Sequence, residues 1–219
     1  MPHIAPLKRE DLPEFEPMFT GTERVLGAVP NSFLTLGHKP RILAAFALLS
    51  GTIFNRYRGP ISLKKVRFLR AFLKESKKAT EIPPQLQQMV AYISSYAAGC
   101  RYCQAHTAES LHLMEVPDDK IQALPKYDTS GLFSDAERAA LDFAFAASQV
   151  PNESTPQHFR ALKEHFTDAQ IVELVSVIAL FGFLNRWNDT MATALEEVPR
   201  AFAENALSPG GWAVGKHAD

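Results

Sequence analysis

The sequence predicts an all-α fold, and three observations support this prediction. Nearly every ordered segment spaces its apolar residues at helical intervals. No run of alternating β-branched residues, which would predict a strand, interrupts these segments. Three segments begin with helix-capping residues, at Ser134, Thr155 and Thr167. Because the spacing and the start signals agree, we expect helices joined by short turns.

The first predicted helices follow one another after residue 40. Arg41 to Phe54 places apolar residues at helical intervals, and Leu63 to Lys78 is amphipathic. Pro83-Pro84 suits the first turn of the next helix, where a missing N–H costs little. That helix should end at Gly99, because glycine tolerates a left-handed backbone.

The later helices are marked by their caps. Ser134 and Thr167 are each followed three positions later by a glutamate or glutamine, the pattern of a capping box. Thr155 precedes Pro156, a proline suited to the first helical position. The helix that begins after Thr167 is apolar on nearly all sides from Ile171 to Leu184, so we expect it in a core or a subunit interface.

The length of 219 residues allows one domain with a large core. Residues 1–39 are rich in proline and glycine and are predicted to wrap over the surface. Residues 40–207 form the predicted helical domain, and residues 208–219 are predicted to be a flexible tail.

Composition and charge exclude several classes of partner. The formal net charge is −1, so the chain has no global basic field to hold nucleic acid or an anionic membrane. A basic cluster between Lys64 and Lys78 is interpreted as a solvated helix face. The N-terminus lacks the features of a secretory signal, and the longest apolar stretch, from Leu174 to Leu184, is shorter than the ~20 residues of a membrane span. We therefore expect a soluble cytoplasmic protein.

One heptapeptide, from Cys100 to His106, holds both cysteines of the chain. Cysteines three positions apart lie on adjacent turns of one helix face, close enough to form a disulfide. Cytosolic thiols stay reduced, so Cys100 and Cys103 predict catalysis or metal binding rather than a structural disulfide. His106 lies about 60° round the helix from Cys103 and is placed to draw off the proton of that thiol.

Three other interpretations fit a Cys-x-x-Cys pair. It could be half of a zinc site with His106 as the third ligand and a distant fourth, although no second cysteine pair exists. A thioredoxin-like motif needs a βαβ setting, which the helical flanks do not supply. The third interpretation is structural: two buried thiols beside a hydrogen-bonded core histidine, with no catalytic role. The histidine next to the pair and the preceding Gly99 favour a redox site instead.

The residues leave open which thiol is the more reactive. Gly99 places Cys100 at a helix N-terminus, where the macrodipole and unpaired N–H groups lower the pKa of a thiol. The position of His106 favours Cys103 instead.

The segment from Ser94 to Thr107 resembles the signature of the alkylhydroperoxidase D-like (carboxymuconolactone decarboxylase) family. A second stretch, Phe181 to Asp189, resembles the asparagine-arginine-x-x-aspartate segment of the peroxidase-related branch of that family. Val29 to Phe33 is also similar to that branch. The three segments occur in the expected order.

The resemblance implies a helical bundle that assembles into homo-oligomers. It also implies reduction of a peroxide by a cysteine pair that cycles between dithiol and disulfide, with an unidentified dithiol as the reductant. Cys103 would be the thiol activated by His106, and Cys100 would be the partner that closes the disulfide. No flavin, haem or metal would be required.

One departure from the family pattern affects the proton relay. Twelve residues before the first cysteine, where the best-known members carry a glutamate, this chain has Gln88. An amide can orient an imidazole by a hydrogen bond but cannot accept its proton. Gln88 is therefore predicted to belong to the site and to weaken the relay, and Glu81 and Glu109 are the nearest carboxylates that could replace it.

The leading functional hypothesis is a thiol-dependent alkyl hydroperoxide reductase. Two alternatives stay open. The first is lactone decarboxylation, a reaction of the same superfamily that does not rely on a cysteine pair and would survive its removal. The second is a non-enzymatic redox-sensing module, whose disulfide would form without turnover.

Overall fold

The computed structural model describes residues 2–54, 66–73 and 81–218, and within them the chain forms helices and no β-strand. The all-α prediction is confirmed. The chain divides into two compact units, Met1–Glu81 and Ile82–Asp219. The division lies after residue 81 and not at residue 40, where the sequence predicts the start of the helical domain.

The first unit is built around aromatic side chains. Phe15 stacks on Phe19 and on Phe68, with ring centroids 6.1 and 6.3 Å apart. Leu43 is fully buried in the same cluster. Because residues on both sides of position 40 fill one core, the N-terminal segment and the helix that follows it belong to one unit. The α-helices are α1 (Glu16–Leu26), α2 (Asn31–Leu36) and α3 (Pro40–Ile53), and short 3-10 helices span Arg9–Asp11, Pro13–Phe15 and Arg67–Leu73.

The predicted helix from Leu63 to Lys78, with its basic cluster, lies mostly outside the described residues. Its described part, Arg67–Leu73, is a 3-10 helix. The predicted helix from Arg41 to Phe54 is confirmed as α3, with Pro40 at its first position.

The second unit packs three helices around one central helix. The central helix contacts α5, α7 and α9, and its residues Val90 and Ile93 are fully buried between them. Its helices are α4 (Pro84–Ala98, the central one), α5 (Arg101–Leu113), α6 (Asp118–Gln122), α7 (Asp135–Ser148), α8 (Pro156–His165), α9 (Asp168–Met191) and α10 (Glu197–Ala206).

The caps of the second unit lie where the sequence places them. The Ser134 and Thr167 side chains accept hydrogen bonds from the third residue of α7 and α9, and the acidic or amide side chain at that position completes each box. Pro156 occupies the first position of α8, as predicted. Each such cap contributes about 1 kcal/mol to helix stability.

Helix α9 is longer than the apolar stretch inside it. It has 24 residues and, by length and composition alone, could cross a membrane. The core helix of a soluble protein meets the same criterion, and α9 contacts α4, α5, α7 and α8.

The C-terminal segment, predicted to be a flexible tail, packs against the second unit. Trp212 and His217 are buried, with exposed fractions of 4% and 1%. The Trp212 indole N–H donates to the carbonyl of Arg101 at 3.2 Å, and the amide of Leu195 donates to the carbonyl of His217 at 2.9 Å. These contacts hold the segment beside the start of α5.

Candidate active site

The turn between α4 and α5 places the two cysteines. Gly99 ends α4 with a left-handed backbone (φ 75°), and the amide of Cys100 donates to the carbonyl of Ser95 at 3.0 Å. This is the hydrogen-bond pattern of a glycine C-cap. Cys100 then becomes the N-cap of α5, and Cys103 falls in its first turn. The predicted position of Cys100 at a helix N-terminus is thus observed.

The two thiols are buried and in contact. Cys100 is fully buried, Cys103 is 3% exposed, and neither is in a disulfide. The Cys100 thiol donates to the sulfur of Cys103, and the side-chain amide of Asn188 donates to the same sulfur at 3.4 Å. The pair is therefore arranged with one thiolate and one thiol that shares its proton.

The contacts decide which thiol loses its proton first. The hydrogen bond from Cys100 lowers the pKa of Cys103, burial opposes that shift, and Asn188 adds to it. The same hydrogen bond, together with burial, raises the pKa of Cys100. Helix-terminus stabilisation of Cys100, which the sequence analysis also considered, is outweighed because Cys100 is the donor in the pair.

His106 is paired with a carboxylate from a distant part of the chain. Its Nε2 lies 2.8 Å from Oε2 of Glu196, the residue just before α10. The Tyr102 hydroxyl donates to the other oxygen of Glu196 at 2.9 Å. Burial, and then this hydrogen bond, raise the pKa of Tyr102 to about 12, so the hydroxyl remains a donor.

Glu196 supplies the carboxylate beside His106 that Gln88, at the family's glutamate position, cannot supply. Burial pulls its pKa upward, but its own backbone amide, His106 and Tyr102 outweigh burial and hold the pKa below its usual value. Neither Glu81 nor Glu109 makes this contact within the described residues. Gln88, the predicted relay position, is half-buried on α4 and takes no part in the His106–Glu196 pair.

A second histidine lies beside the thiols. Asp189 Oδ1 accepts from His217 Nε2 at 3.1 Å, and its other carboxylate oxygen pairs with Lys216 at 3.3 Å. Ligand atoms of Cys100, Asp189 and His217 all lie within 4.8 Å of one another. Both of these partners of Asp189 come from the C-terminal segment.

An apolar cleft of 990 Å³ lies along α9 in the second unit. Asn185 lies at the inner wall of this cleft. Its side-chain amide donates to the carbonyl of Ser94 at 3.4 Å, and its buried Oδ1 has no hydrogen-bond partner among the described residues. One helical turn further along α9, Asn188 contacts Cys103. Helix α9 thus carries Asn185 at the wall of the cleft and Asn188 in contact with Cys103. Aromatic and aliphatic side chains dominate its lining: Phe143, Val150, Phe159, Phe183, Trp187 and Met191.

Replacement of Asn188 by leucine is expected to raise the pKa of Cys103, because it removes a donor to the thiolate. A charge-assisted hydrogen bond corresponds to about one pH unit. The thiolate then forms at higher pH, and alkylation of Cys103 by iodoacetamide at pH 7 slows. Peptide mass spectrometry of the alkylated Cys103 peptide over a pH series gives the pH at which the alkylation rate is half its maximum, which is the midpoint of thiol ionisation. Asn188→Asp should raise it further by charge repulsion, and a midpoint in Asn188→Leu equal to wild type would exclude this role.

Four residues of the site are not predicted from the sequence as site residues: Glu196, His217, Asn188 and Asp189. Glu196 and His217 lie outside any local motif, and only tertiary packing brings them to α5. Asn188 and Asp189 do lie within the Phe181 to Asp189 stretch, so the resemblance of that stretch was the one available signal.

Part of the sequence is similar to known proteins. Residues 66–146 match the profile of the carboxymuconolactone decarboxylase family. The uncharacterized protein YnjA of Escherichia coli K12 is 29% identical over 115 residues, which are 52% of this chain. The match spans 63% of YnjA, less than two thirds of its length.

Solved structures extend the similarity over nearly the whole chain. The apo structure of debrominase Bmp8 is 36% identical, covers 92% of this chain and 96% of Bmp8, and has a TM-score of 0.55. A cysteine-to-alanine variant of Bmp8 in complex with 2,3,4-tribromopyrrole gives 34% identity over 93% and 96% of the two chains, with a TM-score of 0.56.

A more distant structure shows the same fold. It is a protein of unknown function from Agrobacterium tumefaciens, described as a candidate antioxidant defence protein AhpD. It is 18% identical over 53% of this chain and 80% of its own, with a TM-score of 0.51. The profile match, the near full-length similarity and the shared fold agree with the cysteine motif, and the chain belongs to the alkylhydroperoxidase D-like, carboxymuconolactone decarboxylase family.

Proposed function

We propose that this chain is a dithiol oxidoreductase that reduces an alkyl hydroperoxide and closes a disulfide between Cys100 and Cys103. The contact of the two buried thiols at the start of α5 carries this proposal. One thiol is held as the nucleophile by two donors, and the second is already in position to attack it. Such an arrangement suits two-electron reduction of a substrate.

The proposed reaction has two steps, followed by reduction of the disulfide. The Cys103 thiolate attacks the terminal oxygen of the hydroperoxide, the O–O bond breaks, and a Cys103 sulfenic acid and an alkoxide form. The alkoxide takes one proton and leaves as an alcohol. Cys100 then attacks the sulfenic sulfur, so the S–S bond forms and water leaves. An external dithiol returns two electrons and two protons.

His106 and Glu196 supply the proton in the first step. The Glu196 carboxylate at 2.8 Å orients the imidazole, and His106 lies one helical turn after Cys103. A positioned general acid of this kind contributes about 10² to 10⁴-fold to a rate.

The cleft along α9 supports an apolar substrate. Its lining is mostly aromatic and aliphatic, so it can bury a hydrocarbon group. Asn185 on its wall lies one helical turn from Asn188, which contacts Cys103. We therefore propose a bulky organic hydroperoxide rather than hydrogen peroxide as the preferred peroxide.

Reductive debromination is a second candidate, favoured by the near full-length similarity to debrominase Bmp8. In this reaction the Cys103 thiolate takes the bromine from an aromatic carbon, and the carbon takes a proton. Cys100 then displaces bromide from Cys103, which yields the same disulfide. The apolar cleft would accept a flat ring as readily as an alkyl group.

Reduced protein mixed with cumene hydroperoxide or with 2,3,4-tribromopyrrole separates the two candidates. We expect both thiols to be lost within the dead time of manual mixing with the hydroperoxide, and alcohol to appear in equal amount. Thiol loss and bromide release with the brominated pyrrole alone would replace the first candidate by the second. Free thiols after both treatments would reject the proposed function.

We also propose that the chain forms a homo-oligomer through α9. Its outer face exposes large apolar side chains, which soluble monomers rarely collect on one helix. Trp187→Glu is expected to reduce the molar mass measured by light scattering to that of one chain, whereas Arg186→Glu, at the neighbouring exposed position, should not. A wild-type protein of monomer mass would contradict this proposal. The exposed side chains are Val175, Leu180, Phe183, Trp187 and Met191, with exposed fractions of 41 to 62%. All but Leu180 also line the cleft, so a partner chain on this face would cover it.

A further inference from the structure

The environment of His217 is that of a metal ligand. The ring is 1% exposed, and its Nδ1 lies 2.8 Å from the carbonyl oxygen of Thr193. A carbonyl and a carboxylate only accept hydrogen bonds, so Nδ1 donates to Thr193 and Nε2 donates to Asp189. Histidines that bind metals are usually oriented by such a bond from the other ring nitrogen.

Three donor atoms converge at this point, and the sulfur of Cys103 adjoins one of them. The Cys100 sulfur, a carboxylate oxygen of Asp189 and a ring nitrogen of His217 are mutually within 4.8 Å, and the Cys103 sulfur contacts Cys100. Lys216 holds the second oxygen of Asp189 at 3.3 Å, which leaves Oδ1 facing the histidine. The set thus comprises two sulfurs, one imidazole nitrogen and one carboxylate oxygen.

These donors match the preferences of zinc. Zn²⁺ binds thiolate, imidazole and carboxylate at about 2.0 to 2.3 Å in a tetrahedron, which puts neighbouring ligand atoms about 3.3 to 3.8 Å apart. The 3.1 Å separation of His217 Nε2 and Asp189 Oδ1 requires only a small expansion to reach that range. Two sulfur ligands disfavour magnesium and calcium, which select oxygen.

We propose that the reduced protein binds one Zn²⁺ through Cys100, Cys103, Asp189 and His217, and that the bound ion withholds both thiols from oxidation. Binding displaces the thiol proton of Cys100 and the proton shared by His217 and Asp189. The sequence analysis considered His106 as a zinc ligand, but its Nε2 is engaged by Glu196, and His217 takes that place. The inference uses the same thiols as the proposed function and adds a regulator of that site.

Cobalt(II) is the probe for this site, because its thiolate complexes absorb in the near ultraviolet. Titration of the reduced full-length protein under nitrogen should give a charge-transfer band that saturates at one equivalent of cobalt and disappears when zinc is added. Competition with a chromophoric chelator then gives the zinc affinity. His217→Gln and the isosteric Asp189→Asn should each weaken that affinity at least about 100-fold, since loss of an outer partner alone costs 10 to 100-fold.

His106→Gln is the matched control, because it removes the other histidine near the thiols and should leave the zinc affinity unchanged. Circular dichroism confirms the fold of each variant. No charge-transfer band, or equal affinity in His217→Gln, Asp189→Asn and wild type, would overturn the site. Reduction of hydroperoxide in the presence of a chelator tests the proposed function independently, since turnover without metal binding rejects only the zinc site, and metal binding without turnover rejects only the peroxidase.

Discussion

Replacement of Cys103 by serine is expected to lower the rate of hydroperoxide reduction by at least about 10³-fold, because it removes the nucleophile of the first step. Serine preserves the size of the side chain and can still accept from Asn188, so the fold should be retained. The decrease is measured as alcohol produced under a dithiol reductant.

Replacement of Cys100 by serine is the informative comparison for that result. The first step survives, so one equivalent of alcohol should form in a burst and turnover should then stop. The trapped Cys103 sulfenic acid is detected by its dimedone adduct in the intact mass. If the burst belonged to Cys103→Ser instead, the roles of the two cysteines would be exchanged, and wild-type turnover in both variants would reject a dithiol mechanism.

The second large effect is expected from the His106–Glu196 pair. His106→Gln should lower kcat/KM by about 10²-fold, because glutamine cannot donate a proton to the leaving alkoxide. Glu196→Gln should also lower kcat/KM, since it still accepts from Tyr102 but no longer offers His106 a charged partner. The double variant should be little worse than His106→Gln alone, because both residues act through one proton.

The pH profile distinguishes this role from a structural one. The pKa of Glu196 is lowered in the folded protein, so its carboxylate is ionised above the usual range of a glutamate and becomes protonated only as the pH falls through the folded pKa. Activity should therefore persist to lower pH than an ordinary glutamate would allow. Glu197→Gln, at the next and exposed position, is the control. An equal kcat/KM in Glu196→Gln and Glu197→Gln would exclude Glu196 from the reaction.

The sequence predicted those parts of the site that local rules determine. Gly99 ends α4 and Cys100 opens α5 because a glycine C-cap and a helix start leave recognisable residues within a few positions. The caps at Ser134 and Thr167 were predictable for the same reason. These features depend on hydrogen bonds between near neighbours, so no tertiary information was needed.

The parts that were not predicted depend on packing between distant segments. Glu196 reaches His106 across 90 positions, and His217 reaches Asp189 because the final residues pack beside α5. The segment from residue 208 onward has little helical periodicity, which led to the prediction of a flexible tail. Burial of Trp212 and His217 stabilises it instead, a contribution that a window of sequence cannot show. The boundary at residue 40 failed for a similar reason, since Phe15 and Leu43 share one core.

The central claim is that Cys100 and Cys103 pass two electrons to a substrate and become a disulfide. The most direct test is the intact mass of the fully reduced, chelator-treated protein after one equivalent of cumene hydroperoxide, followed by peptide mapping. We predict a loss of two hydrogens that maps to a disulfide between Cys100 and Cys103, with one equivalent of alcohol formed. An unchanged mass with both thiols still alkylatable, or a stable sulfinic acid on Cys103 in place of the disulfide, would contradict it.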